Sequence, residues 1–375
     1  MAATNLGSVT SPAPRKRATF HSLRVKRVAP LTKDSVEVTF DVPDDLHGQF
    51  DYLPGQHVAL RALVEGDELR RSYSICRPLQ PGELSVAIKR DAGGLFSNWA
   101  NDTLQPGQEM EVMSPQGTFT SNLPSFDGKH VVGIAAGSGI TPIASLAHTV
   151  LQSSPDSRFT LLYSNRSTMD VMFVEELADL KDAYPSRFAL HHVLSREQRS
   201  SPLMSGRLDQ DRLRTMFESL IFPATVDEWF LCGPFELVQL VRDTLPDYGV
   251  DAAHIRFELF TTGEPGSQPK RARHVEIRKG DDVYEINFQL DGQTNQVESP
   301  VDAHETILNS ALRIRPDVPF ACSGGVCGTC RARIVTGSVN MDENYALEPD
   351  EVENGYVLTC QSHPTSEKVT VDYDV

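Results

Sequence analysis

The chain is short of positive charge: 35 Lys and Arg face 51 Asp and Glu, a formal net charge of −16. That balance excludes a protein whose work is to neutralise phosphates along a nucleic acid. The acidic excess reads first as a solvated surface and, more sharply, as patches that steer a basic partner. Long apolar runs are also missing, and none approaches the roughly 20 residues of a membrane-spanning helix. Residues 1–17, rich in Ser, Pro and Ala and ending in Arg15-Lys16-Arg17, lack the apolar core of a secretory signal. They read as a flexible tail, and the chain as cytoplasmic, without a membrane partner. Cysteine is scarce, six in 375 residues, which excludes a disulfide scaffold and indicates a reducing compartment. There is no internal repeat.

The few cysteines present are grouped. Cys322-Ser-Gly-Gly-Val-Cys327-Gly-Thr-Cys330, with Cys360 further on, has the C-x4-C-x2-C…C spacing of a plant-type [2Fe–2S] cluster. Three thiolates from one tight loop must converge with a fourth, and Gly324, Gly325 and Gly328 let the backbone turn close to the sulfurs. A structural zinc site is the alternative. Such sites usually show two C-x2-C pairs, and here only Cys327 and Cys330 form one. With zinc, the chain would be a stapled, non-catalytic binding module.

The length suits two or three domains. Residues 18–122 alternate as short strands (36–40, 57–60, 84–88) punctuated by Pro54-Gly55, Pro81-Gly82 and Pro106-Gly107, which predicts an antiparallel β-barrel with one short helix at 95–104. Residues 123–262 switch to strands alternating with helices: strands at 129–135, 159–163, 188–194 and 228–232, helices at 142–151, 171–181, 208–220 and 235–245. That rhythm predicts an α/β domain with a parallel sheet. A Gly/Pro/Ser-rich linker, 263–271, leads to a third block, 272–375. It has strands near 274–278, 284–290 and 369–373 and a helix near 305–312.

Four stretches of the first two blocks carry ligand chemistry. In Arg71-Ser-Tyr73-Ser74, Arg71 is a phosphate fork and Tyr73 a ring to stack on a flat ligand. The run Lys89-Arg-Asp-Ala-Gly93-Gly94-Leu-Phe-Ser97 opens the short helix, and Gly93, Gly94 and Ser97 offer N–H and hydroxyl groups at its N-terminus, a phosphate site. Gly137-Ser-Gly139-Ile-Thr141-Pro142 sits at the first βα junction, where parallel sheets bind dinucleotides. Pro142 replaces the last glycine of the usual pattern and suits a first helical turn. Cys232-Gly233-Pro234 follows a later strand; a lone Cys232 reads equally as a small buried residue.

The order of these motifs resembles the ferredoxin-reductase superfamily, and within it the oxygenase reductases that end in a plant-type ferredoxin domain. The resemblance runs from about residue 18 to the end, and the stretches Tyr163-Ser-Asn-Arg-Ser167, 344–351 and 355–361 narrow it further. It implies an FAD barrel, a nicotinamide domain and a β-grasp-like ferredoxin domain, with FAD, a nicotinamide cofactor and a [2Fe–2S] cluster as cofactors. Electrons would pass to an oxygenase component, a di-iron epoxidase or alternatively a Rieske oxygenase. Arg71, Gly94 and Ser97 would hold the FAD pyrophosphate, Tyr73 would lie on the isoalloxazine, and Ser74 would bond near its N5. Gly137, Gly139, Thr141 and Pro142 would position the nicotinamide cofactor, with Cys232 near the hydride path. Glu258 and Phe260 would approach the flavin from the other face. Hydride transfer of this kind rests on positioning and calls for no Ser-His-Asp or metal-hydrolase constellation; His191, His192 and His363 read as strand or surface residues.

The strand at 159–163 is followed by Ser164-Asn165-Arg166-Ser167, without the acid that grips a ribose 2′-OH and with an Arg for a 2′-phosphate. This favours NADPH, NADH being the alternative. Arg331, Arg333, Glu348, Asp350 and Glu351 are expected to form a docking face for the oxygenase, or else to be ordinary solvated charges.

Overall fold

A computed structural model describes residues 18–260, 275, 277–278 and 280–375. The tail 1–17 and the linker 263–271 lie outside the described residues. Six antiparallel strands, β1 (Phe20–Thr32), β2 (Ser35–Asp41), β3 (His57–Val64), β4 (Asp67–Ser74), β5 (Glu83–Lys89) and β6 (Glu109–Met113), form one sheet in the order β4-β3-β6-β1-β2-β5. A bridge from Ile75 to Val86 brings its two ends together, so the sheet curls into a barrel without free edges. The barrel is filled by Val25, Phe40, Val58, Leu60, Val86, Ile88 and Val112. A four-residue helix, α1 (His47–Phe50), precedes β3, and α2 (Leu95–Thr103) lies across one end.

Five parallel strands follow: β7 (His130–Ala136), β8 (Arg158–Asn165), β9 (Phe188–Leu194), β10 (Glu228–Gly233) and β11 (Ile255–Leu259), in the order β11-β10-β7-β8-β9. The helices α3 (Ile140–Ser153), α4 (Val174–Ala183), α5 (Gln210–Met216) and α6 (Phe235–Thr244) connect them. Two cores, one on each face, show that the sheet is covered on both sides. The helix expected at 208–220 is shorter. Asp209 caps α5 by accepting from the Arg212 N–H at 2.9 Å, and the chain then widens into a π-helical turn over Phe217–Ile221.

The last domain packs α7 (Ile307–Leu312) on a mixed sheet, β13-β12-β18-β14-β16, built from β12 (Val283–Leu290), β13 (Gln293–Pro300), β14 (Arg331–Thr336), β16 (Tyr356–Leu358) and β18 (Lys368–Asp372). β15 (Val339–Met341) and β17 (Ser362–Pro364) pair separately, and α8 (Pro349–Glu353) flanks β16. β13, too polar to stand out in the sequence, exists because Asp291 and Gly292 both adopt positive φ (61° and 67°) and close a tight hairpin. Of the strand expected at 274–278, residues 274 and 276 lie outside the described residues, and 275, 277 and 278 are not in a strand. No helix among the described residues is long and apolar enough to cross a membrane.

Candidate flavin and iron–sulfur site

The four cysteines meet at one end of the third domain. Cys327, Cys330 and Cys360 are buried and Cys322 is half-buried. Gly325 and Gly328 take φ of +76° and +67°, as the loop requires, and a Cβ on Gly325 would meet the Glu343 carbonyl at 3.1 Å. Two donors reach sulfur: the Gly324 N–H to Cys322 Sγ at 3.4 Å, and Gln361 Nε2 to Cys360 Sγ at 3.7 Å. All four thiols influence one another's ionisation, so the loop and the distant Cys360 converge on one site. Three ligands from one glycine-rich loop and a fourth from a later segment suit a dinuclear iron–sulfur centre.

The flavin residues line β4 and the start of α2. Strand alternation puts Arg71 and Tyr73 on the face of β4 that carries Leu60 and Val58 on β3. Arg71 donates to the Arg70 carbonyl at 2.7 Å. The Tyr73 ring lies 5.9 Å from Phe96 of α2, and burial raises its phenol above the usual range. Gly93 turns at φ +77°, and a Cβ on Gly94 would sit 2.8 Å from Ser97 Oγ. That hydroxyl already accepts the Asp91 N–H at 3.0 Å, so Ser97 tightens the loop itself. Lys89 faces Asp34 at 3.8 Å. Arg166 reaches the same Asp34 at 3.7 Å and Asp170 at 3.4 Å, while Ser167 Oγ donates to Asp170 at 2.7 Å.

At the first βα junction, Gly139 packs on the next strand so closely that a Cβ would lie 2.1 Å from the Cys232 carbonyl. Gly137 has φ +54° and its carbonyl accepts from Tyr163 OH at 2.9 Å. Thr141 Oγ1 donates to the Ser138 carbonyl at 3.0 Å, and Pro142 is buried in the first turn of α3. Gly233 lies against Ala136, at 3.1 Å for a notional Cβ. Cys232 is fully buried, and burial pushes its thiol up. The parallel register pairs Cys232 with Glu258. Glu258 in turn accepts from Ser74 Oγ at 3.1 Å, so the end of the second domain closes onto β4 of the first. Burial pushes the Glu258 carboxyl up to about 8, with Ser74 pulling back. Phe260, just past β11, is 36% exposed.

Sequence reasoning missed His57. It pairs in register with Ser74 and holds Nδ1 3.8 Å from Glu258 Oε1. Its Nε2 and the Ser72 hydroxyl are buried without a partner in the chain, polar groups that a bound cofactor would satisfy. No local pattern marks it; only the fold shows that a Cβ on the distant Gly117 would meet His57 Nδ1 at 2.8 Å. Two residues along the same face of β3, Ala59 packs with Met113 against Ala321 and Cys327 of the cluster loop. All three domains thus meet along one stripe of one strand.

Four of the five expected docking charges have partners within the chain. Arg331 pairs with Glu351 at 2.9 Å and stacks on Tyr356 at 3.4 Å. Arg333 donates to the Asn354 carbonyl at 3.2 Å, and Glu348 meets Arg256 of the second domain at 3.3 Å.

Family models match in the same three-part order: an oxidoreductase FAD-binding domain over 22–121, an oxidoreductase NAD-binding domain over 134–243 and a 2Fe-2S iron-sulfur cluster binding domain over 288–365. The chain is 43% identical to one of the subunits of 1,2-phenylacetyl-CoA epoxidase from Escherichia coli (strain K12), across 95% of this chain and 98% of that protein. It is 31% identical to the ferredoxin reductase component of 3-ketosteroid-9-alpha-monooxygenase of Rhodococcus rhodochrous, across 94% and 96%. The solved structure of phthalate dioxygenase reductase superposes with a TM-score of 0.55 at 24% identity, across 94% of this chain and 98% of that one.

Proposed function

Because the chain belongs to the FAD- and [2Fe–2S]-containing reductase components of oxygenases, we propose that it feeds an oxygenase acting in phenylacetyl-CoA epoxidation. The route is NADPH to FAD to the cluster to a di-iron epoxidase. The observation that carries the reading is the single joint: Ser74 bonded to Glu258 beside Cys232, with the loop of Cys327 seated two residues away along β3. The 43% identity across nearly both chains favours the epoxidase over a Rieske-type steroid hydroxylase.

When bound, the flavin accepts two electrons as hydride and gives them up singly, and the cluster carries one at a time. The chain's own residues position. Arg71 and the N–H groups at the start of α2, with Lys89, would hold the pyrophosphate, and Tyr73 would back the ring. Gly139, lacking a Cβ, lets Cys232 and Glu258 close on the crevice where Thr141 and Pro142 set the turn. Ser74 and Glu258, bonded to each other with burial pushing the carboxyl toward its protonated form, would hold a proton beside a bound flavin, and the buried Cys232 would help to exclude water.

The test is anaerobic mixing with NADPH, followed by reconstitution. Flavin bleaching comes first and cluster bleaching second. Cys330→Ser keeps the first and abolishes delivery to the oxygenase. Turnover restored by the epoxidase's oxygenase component, and not by a steroid hydroxylase, is the expected outcome; the reverse assigns the chain to the Rieske systems. Electron delivery that survives Cys330→Ser would refute the relay.

A further inference from the structure

Arg70 precedes Arg71 on β4, so its side chain leaves by the opposite face, outside the barrel. It stands directly across from Arg61 of β3, and its side chain is 5% exposed. Two cations side by side repel, and a buried guanidinium is costly unless its N–H groups are used. Here the ring of Phe20 is close to both, 4.2 Å from Arg61 Cζ and 5.3 Å from Arg70 Cζ. Arg61 is further held by Glu111, and Arg70 by Glu68 at 2.9 Å.

What remains of Arg70 reaches into the ferredoxin domain. Nη2 donates to the Pro316 carbonyl at 3.0 Å, and Cζ lies 4.3 Å from the Phe320 ring. Pro316 and Phe320 belong to the short segment that carries α7 into Cys322. The apolar contact beside it is small, Ala59 and Met113 against Ala321 and Cys327. The domain's other contacts are to the nicotinamide domain: Tyr345 meets Phe235 edge-on at 6.3 Å, Val326 packs with it on that core, and Glu348 pairs with Arg256, half-exposed on the Glu348 side and so screened by solvent and salt.

We propose that Arg70 is the positioning residue that seats the ferredoxin domain on the barrel. It touches neither flavin nor nicotinamide residues with its side chain. It grips Glu68 with Nε and Nη2, turns Nη2 also to the Pro316 carbonyl and lays its plane near the Phe320 ring, a combination that needs a planar guanidinium and that Lys, a point charge, does not reproduce. It governs the flavin-to-cluster step and leaves hydride transfer alone. The kinetic part rests on the relay proposed above; the seating does not.

The experiment uses the full-length holoprotein with Arg70→Met, Phe320→Leu and the double variant. NADPH bleaches the flavin at a rate within about twofold of the parent, while cluster bleaching slows about tenfold or more, since small displacements of reacting groups are costly. Small-angle scattering shows a larger radius of gyration, and the amides of Asp317, Val318 and Phe320 exchange faster. If both residues act through one contact, the double variant is no slower than the slower single. Parent-like cluster reduction and scattering in Phe320→Leu, whether or not Arg70→Met retains FAD, overturns the proposal. So does an equal slowing of both phases. A parent protein whose cluster NADPH never reduces would sink the relay instead, while scattering and exchange still judge the seating.

Discussion

The barrel meets its two neighbours in different ways. Toward the nicotinamide domain the boundary is continuous core: Cys76, Ala87 and Phe119 of the barrel belong to the same buried cluster as Ile140, Phe159 and Phe230, and Phe119 meets Phe230 edge-on at 5.3 Å. Through that core runs an ion chain. Arg77 of the barrel holds Glu37, 2% exposed, at 2.6 Å, and on its other side pairs with Glu176 of α4, which accepts from His148 at 2.7 Å. Toward the ferredoxin domain there is a small apolar contact, Ala59 and Met113 against Ala321 and Cys327 with Ala18, Phe20 and Cys322 at its margin, and Arg70. Hydride transfer needs two rings held in one geometry, and a fused joint supplies that. A domain that must serve an inside donor and an outside acceptor is better held by contacts few enough to break.

The largest effect follows from Arg77. Replacing it with Met leaves Glu37 buried with only the more distant Arg27, at 3.3 Å, and strips Glu176 of a partner. Breaking a buried pair from one side costs about 3–5 kcal/mol. We expect urea unfolding of the variant at a lower midpoint, with flavin release and loss of nicotinamide-domain structure in a single step. Separate transitions for the two domains would show that the joint is not fused.

The same chain makes the joint acid-sensitive. Burial works against ionisation of Glu176, yet the hydrogen bond from His148 and the charge of Arg77 hold its carboxyl below the usual range. An unfolded Glu titrates near about 4.3. The stabilisation is therefore complete above that value and is lost as pH falls through the lower folded one. Glu176→Gln flattens this part of the pH–stability curve, measured by denaturant midpoints between about pH 5 and 3. Across the ferredoxin boundary the partners of Arg70 are a carbonyl and a ring, which do not titrate, and the carboxylates that brace that boundary, Glu68 and Glu348, are half-exposed, so the same acid series weakens it less than the Arg77 joint.

The difference between the joints also explains what the sequence could reveal. Cluster ligands, the Arg71–Ser74 motif and the glycine turns lie close together in the chain, because a loop or strand end must present several groups to one ligand. Their chemistry shows in the spacing. The joints are made by residues far apart: Ser74 with Glu258, Arg70 with Pro316, Arg77 with Glu176. Each is a single charged or polar residue that, read locally, looks like a solvated strand position. His57 hid for the same reason. Arg331 and Glu351 erred the other way: they look like a free charged face and are bonded to each other.

The smallest effect tests the rim of the fused joint. Arg166, with half its side chain exposed, touches Asp34 of the barrel and Asp170, a pairing whose removal costs about 0.2–1 kcal/mol of stability. We propose that its second task is the 2′-phosphate of NADPH. The two carboxylates already share its charge, so Arg166→Ala should raise the Michaelis constant for NADPH only severalfold, about 1 kcal/mol, and leave that for NADH unchanged. A rim residue that merely braces the joint would shift both constants together. Steady-state kinetics with the two cofactors on one preparation therefore separates a bracing role from a recognition role, and equal shifts would leave the chain without a residue that prefers NADPH.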